Sequence, residues 1–156
     1  MQELWSSVDR WLEATVVHPG PAFQEAEAAS ARAGLPSIQV TATQGKLLHL
    51  LARLCGARKI LEIGTLGGYS TLWLATALPE DGHLVTLELD PTHAEVARTN
   101  LARGGVASRV ELRVGPALEL LPRLACPVLI LPARQATDPP ERRLSQEASV
   151  GRALAF

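Results

Sequence analysis

The sequence predicts an α/β fold: a mostly parallel sheet with helices on both faces, preceded by additional helices. Three observations carry this. Short, branched apolar runs alternate with helix-length amphipathic segments between residues 59 and 124. Parallel strands need crossovers of that length, and right-handed crossovers cover the sheet. The run Lys59-Ile60-Leu61-Glu62-Ile63-Gly64 is apolar on both strand faces, as in a sheet buried on both sides. The first 55 residues, by contrast, carry only three- and four-residue apolar spacing.

The elements follow in order. Leu4, Val8, Trp11, Leu12 and Val16 form one apolar stripe and predict a helix over 3–17, ended by His18-Pro19-Gly20-Pro21. A second helix, Ala22 to Ala33, is alanine-rich and stops at Gly34, with Pro36 beyond. A third helix runs from about Thr43 to Leu54, and Leu47, Leu48, Leu50, Leu51 and Leu54 make its inner half apolar nearly all round. Strand 59–64, helix 69–78, the turn Pro79-Glu80-Asp81-Gly82 and strand 83–89 come next. Pro91 opens helix 91–103 at its first turn, where a missing N–H costs nothing, and Gly104-Gly105 end it. Strand 109–114 and a short helix 117–124 complete the regular part, and 126–131 reads as a fourth strand.

The chain has 156 residues, 47% of them hydrophobic and 20% charged, which suits one folded domain. Its net charge of −1 offers no basic surface for nucleic acid. No apolar run approaches the roughly 20 residues of a membrane span. The start, Met1-Gln2-Glu3, lacks the features of a signal peptide. Cys55 and Cys126 have neither metal nor redox spacing and read as buried thiols of a cytoplasmic protein. His18, His49, His83 and His93 are scattered without ligand spacing, so none is assigned a catalytic role.

The informative segment is Glu62-Ile63-Gly64-Thr65-Leu66-Gly67-Gly68-Tyr69-Ser70, between the first strand and its helix. Ligands of open α/β sheets bind at this edge. Glycines there permit tight turns and close backbone approach. The next strand ends in Leu87-Glu88-Leu89-Asp90, with the acid Glu88 about 20 residues past the loop, where a carboxylate accepts from ribose hydroxyls. A nicotinamide site would show G-x-G-x-x-G; here the pattern is Gly64-x-x-Gly67-Gly68. An acid two residues before the first glycine suits a cationic amino-acid tail better than a diphosphate. Tyr69 and Ser70, at a helix N-terminus, are placed to donate to a carboxylate. Val114-Gly115-Pro116-Ala117 follows the third strand on the same edge, either to meet an adenine ring or simply as a turn.

Four segments then resemble one family in order and spacing. They are Ile38-Gln39-Val40-Thr41 with Gln44-Gly45-Lys46-Leu47-Leu48, Leu61 to Thr71, Val85 to Pro91, and Arg109-Val110 with Gly115-Pro116-Ala117. Over roughly residues 5–124 the chain resembles the catechol and caffeoyl-CoA O-methyltransferases, class I enzymes dependent on S-adenosylmethionine. The resemblance implies a Rossmann-like sheet, S-adenosylmethionine as methyl donor, a small phenolic substrate and a homodimer. Carried onto this chain, it puts Val40, Gly64, Thr65, Gly67, Gly68, Tyr69 and Ser70 around the methionine part. It sets Glu62 near the amino group, Glu88 at the ribose, and Gly115 and Ala117 beside the adenine.

The family also uses a divalent cation, Mg²⁺, held by an Asp-rich motif and a later Asp-Asn pair. Such a cation lowers the pKa of a substrate hydroxyl and needs clustered oxygen ligands. Here the only asparagine is Asn100, and the acids after Glu119 are Asp138, Glu141 and Glu147. The sequence therefore predicts a cofactor-binding half over 1–124, with N-terminal helices, and a divergent tail over 125–156. The tail reads either as a change of reading frame or as a C-terminal truncation, leaving an unpaired sheet edge near Cys126 to Leu131. No metal ligands and no catalytic residues are assigned. Two functions stand: an O-methyltransferase that is inactive by the metal-assisted route, or a non-catalytic homologue that only binds cofactor or associates through its N-terminal helices.

Overall fold

A computed structural model describes residues 2–124 and 129–132. Helix α1 (Gln2–Leu12) runs directly into a π-helical turn, Glu13–Val17. Helices α2 (Pro21–Arg32) and α3 (Ala42–Leu54) follow. The alternating part comprises β1 (Lys59–Ile63), α4 (Tyr69–Ala77), β2 (His83–Glu88), α5 (Pro91–Arg103), β3 (Val110–Val114), α6 (Ala117–Leu120) and β4 (Leu129–Pro132). The four strands are parallel, in the order β3-β2-β1-β4.

That order reverses at β1. The chain moves outward from β1 to β2 to β3 and then returns to the far side of β1 as β4. Right-handed crossovers therefore place α4 and α5 on one face and α6 on the other. The reversal also opens a crevice at the carboxyl end of β1, on the side that faces β4. The segment 126–131 expected as a strand is seen as Leu129–Pro132, at one end of the described sheet. Proline cannot donate to the ladder, and it stands at the last position, opposite Ile63.

Local chemistry sets the boundaries. Thr41 and Gln44 form a reciprocal capping box: the Gln44 N–H donates to the Thr41 hydroxyl and the Thr41 N–H to the Gln44 side chain. This starts α3 one residue before the expected position. Asp90 caps α5 by accepting from the Thr92 N–H at 2.7 Å, and that bond lowers its pKa. Gly56 takes φ +60 after α3, where a left-handed residue ends a helix.

Three expectations fail. The predicted N-terminal stripe does not face the core: Leu4, Trp11 and Val16 are more than half exposed. The helix changes register instead. The His18 N–H reaches back to the Glu13 carbonyl at 3.0 Å, an i→i+5 bond, and His18 takes φ 46. The wider turn carries Val17 into the core in place of Val16. Leu47, Leu50 and Leu54 of α3 are likewise exposed, because α3 packs on α4 through the small residues Ala42, Gly45 and Ala52. Gly45 lies so close to Trp73 that an added Cβ would fall inside van der Waals contact of its indole. Cys55, expected buried, caps α3 at the surface as a free, exposed thiol; Cys126 lies outside the described residues.

Candidate cofactor site at the strand ends

The loop after β1 is stapled to its neighbours by backbone bonds. The Gly64 N–H donates to the Leu87 carbonyl at 2.8 Å, and the Gly115 N–H donates to the Glu88 carbonyl at 2.8 Å. All three strand ends are thereby tied together. Gly64 (φ +91), Gly68 (φ +82) and Gly115 (φ +145) occupy backbone conformations that a side chain disfavours. Leu66 takes φ +50 without being glycine, a strained position that its surroundings must hold.

What holds it is Glu88. One carboxylate oxygen accepts from the Thr65 N–H at 3.0 Å and the Leu66 N–H at 2.7 Å. The other accepts from Leu89 N–H at 2.9 Å and Asp90 N–H at 3.0 Å. The residue is 7% exposed. The sequence places Glu88 at the tip of the second strand, as an acceptor for ribose hydroxyls. The structure makes it the buried hub of the glycine loop, with two N–H donors on each oxygen. His93, from the first turn of α5, approaches the same carboxylate at 3.7 Å, a proximity that histidine spacing along the chain does not signal.

Glu62 lies deeper, at 2% exposure. Ser70 donates to one oxygen at 2.6 Å; Thr71 and Thr86 donate to the other at 2.5 and 2.8 Å. Burial pushes its pKa up, and the three hydroxyls only partly offset that. The Thr86 proton is committed to Glu62, so the 2.6 Å contact between Thr65 and Thr86 has Thr65 as donor. Thr65 is therefore held by both acids, through its N–H to Glu88 and through a hydroxyl chain to Glu62.

These bonds change the roles expected of Tyr69 and Ser70. The single Ser70 proton goes to Glu62, so Ser70 offers an acceptor, not a donor, to its half-exposed side. The Tyr69 ring is 4% exposed, edge-on to Phe23 at 6.0 Å, and its hydroxyl has no partner among the described residues. Burial takes its pKa to about 12. An aromatic ring at the first position of α4 joins Phe23 and Trp73 in the core, leaving no hydroxyl for the loop. Val40 comes from the segment entering α3, half-buried against the core cluster. Ala117, half-buried, opens α6 just after Gly115.

One residue at the site carried no expectation of this kind. Asn100, on α5, is 1% exposed and donates from Nδ2 to the Gly67 carbonyl at 2.8 Å. A lone asparagine among the apolar positions of a helix is the sequence signal for such a bond.

The sequence pattern of the O-methyltransferase family matches residues 14–127. The chain belongs to the O-methyltransferase family. It is 58% identical over 118 residues to a catechol O-methyltransferase of Mycobacterium tuberculosis, covering 76% of this chain and 54% of that one. It is 48% identical over 122 residues to a catechol O-methyltransferase of Niastella koreensis, covering 78% and 55%. The O-methyltransferase TomG from Streptomyces achromogenes, involved in tomaymycin synthesis and solved in complex with SAM, superposes with a TM-score of 0.83 at 45% identity. That match covers 99% of this chain and 72% of TomG. The chain thus spans about half the length of the curated relatives it matches.

Among the described residues no group of three or more His, Cys, Asp or Glu side chains comes together to hold a metal, and no helix is long and apolar enough to cross a membrane. Asp138, Glu141 and Glu147 lie outside the described residues.

Proposed function

We propose that residues 1–124 form the cofactor-binding half of an S-adenosylmethionine-dependent O-methyltransferase, with 125–156 a divergent tail from which Leu129–Pro132 joins the sheet. The observation that carries this reading is the paired acids at adjacent strand ends. Glu62 and Glu88 both fix Thr65, and so shape one glycine loop over the crevice.

The donor set fits the cofactor. Ser70, its proton held by Glu62, presents lone pairs suited to an ammonium group. Glu62 acts on that group through Ser70, without touching it. Glu88 is the acceptor for a ribose diol, and each diol O–H competes with backbone N–H groups for its oxygens. Ligand binding and loop geometry are therefore coupled. Gly64, Thr65, Gly67 and Gly68 supply backbone at close range. Val40 closes the methionine side, and Gly115 and Ala117 flank the adenine. Tyr69 contributes its backbone at the start of α4. The bound cofactor supplies a methyl group on a sulfonium centre; these residues bind and orient it.

For the protein as a whole the reaction is methyl transfer to a hydroxyl of a small phenolic acceptor. A phenol, with a pKa near 10, needs a base or a cation to become nucleophilic near neutral pH. Mg²⁺ is the cation the resemblance implies. The only asparagine of the sequence, Asn100, is buried in α5 and bonded to Gly67, so it does not fit the Asp-Asn pair that would hold the ion. Residues 1–156 alone therefore bind cofactor without metal-assisted transfer. The same reading places the protein in the cytoplasm, as a homodimer that binds neither nucleic acid nor membrane. Calorimetry tests it: S-adenosylmethionine or S-adenosylhomocysteine should bind and raise the melting temperature. Binding of NAD with no response to either methionine compound would overturn the reading.

A further inference from the structure

Asn100 sits in α5 among Ala97 and Leu101, positions that otherwise bury apolar groups. A buried amide is costly unless it is hydrogen-bonded. Here only one end is bonded among the described residues: Nδ2 donates to the Gly67 carbonyl at 2.8 Å and reaches the Ala26 carbonyl at 3.4 Å, while Oδ1 has no partner. The donor end serves the glycine loop. Gly67 is confined from a second direction, since a Cβ there would collide with the Ser30 hydroxyl. The peptide between Gly67 and Gly68 is a rigid trans plane, so its C=O and N–H point opposite ways. Asn100 holds the C=O end, and the Thr65 carbonyl accepts the N–H end at 2.8 Å.

We infer that Asn100 is a positioning residue for the cofactor: by fixing the Gly67–Gly68 peptide plane, it orients the loop and the first turn of α4, and so sets cofactor affinity without touching the cofactor. The inference rests on the S-adenosylmethionine reading above. It predicts that affinity and loop geometry change together when the donor is lost. Two variants of similar size remove the donor: Asn100→Leu, without charge, and Asn100→Asp, which puts an acceptor against the carbonyl. Calorimetry with S-adenosylhomocysteine should show binding weakened about tenfold in each, the scale of one lost hydrogen bond. In the ligand-free proteins the ¹H–¹⁵N signals of Thr65 to Ser70 should move, while those of β1 stay in place. Leu101→Ala, one position along α5, should lower thermal stability yet leave both readouts alone. If Asn100→Asp does not fold, Asn100→Leu carries the test. Wild-type affinity or unmoved loop signals in the folded variants would overturn the inference and leave the cofactor reading standing. A wild-type chain that binds no S-adenosylhomocysteine would sink the cofactor reading, and this inference with it.

Discussion

Around Thr65 the structure buries charge-bearing and hydroxyl side chains, and on the outer faces of α1 and α3 it leaves large apolar ones in water. Glu62, Thr65, Thr86 and Glu88 are all buried and all hydrogen-bonded. Trp5, at 64% exposure, and Leu54, at 84%, contact little of the described fold. The difference teaches where specificity resides. Apolar burial is roughly proportional to area and tolerates many arrangements. A buried polar cluster has few arrangements that satisfy every donor, so it singles out one loop conformation. The site is therefore the rigidly specified region, although it is made of loop. The outer faces of α1 and α3, by contrast, are regular in backbone but leave large apolar side chains with little of the described fold to pack against.

The largest expected break in this contrast is Glu88→Ala. It removes the acceptor for four backbone N–H groups and releases Leu66 from its strained φ. Unsatisfied buried donors make the loss about 3 kcal/mol of stability. Binding of S-adenosylhomocysteine should fall below detection. Urea unfolding checks the first outcome and calorimetry the second. A stable variant with intact affinity would show that the loop holds itself.

Gly67→Ala probes the same loop by crowding. Its Cβ would overlap the Ser30 Oγ and stand 3.1 Å from the Ser30 Cβ. Overpacking of this sort costs about 2 kcal/mol. Ser30→Gly should relieve most of it, and a double-mutant cycle measures the coupling. Additive effects would place the clash elsewhere.

Glu62 sharpens the comparison through pH. Burial raises its pKa in the folded chain above the value of 4.5 expected when exposed. The folded state then holds a proton that the unfolded state releases, so ionising Glu62 costs stability. The cost is absent below the unfolded pKa, grows as pH rises, and is complete above the folded pKa. Glu62→Gln removes that dependence. Melting curves from pH 4 upward should show the variant gaining on the wild type as pH rises. A variant that instead lost ground to the wild type as pH rose would mean that the hydroxyl bonds, and not burial, dominate.

The same contrast explains what was legible in the sequence. Strand and helix order could be read because periodicity reports backbone type. The α5 boundaries could be read because Pro91 and Gly104 are local signals. The glycine loop and both acids were recognisable by type and spacing. Their bonding was not, because a spacing rule says where Glu88 lies along the chain and nothing about which N–H groups it meets. Asn100 reaches Gly67 across 33 residues. The inner and outer sides of α1 were not legible for a related reason: a stripe shows which residues share a face, and the π-turn at Glu13–Val17 then decided which of them reached the core.

The smallest expected effect comes from the N-terminal face. Trp5 and Leu54 are exposed, so truncating them removes little buried area from the described fold. Trp5→Ser and Leu54→Ser should each change unfolding stability by no more than about 0.5 kcal/mol, the range for surface positions. Cofactor affinity should be unchanged, because neither residue approaches the strand ends through any bond described above. Association is the quantity that should respond. An apolar face left in water favours burial against a second surface, and the proposed homodimer supplies one. Sedimentation across a concentration series should show the serine variants dissociating more readily than the wild type. Large losses of stability at low concentration, where the wild type is monomeric, would show instead that α1 and α3 pack within one chain through these residues. The contrast between a specified site and an underdetermined helical face would then fail.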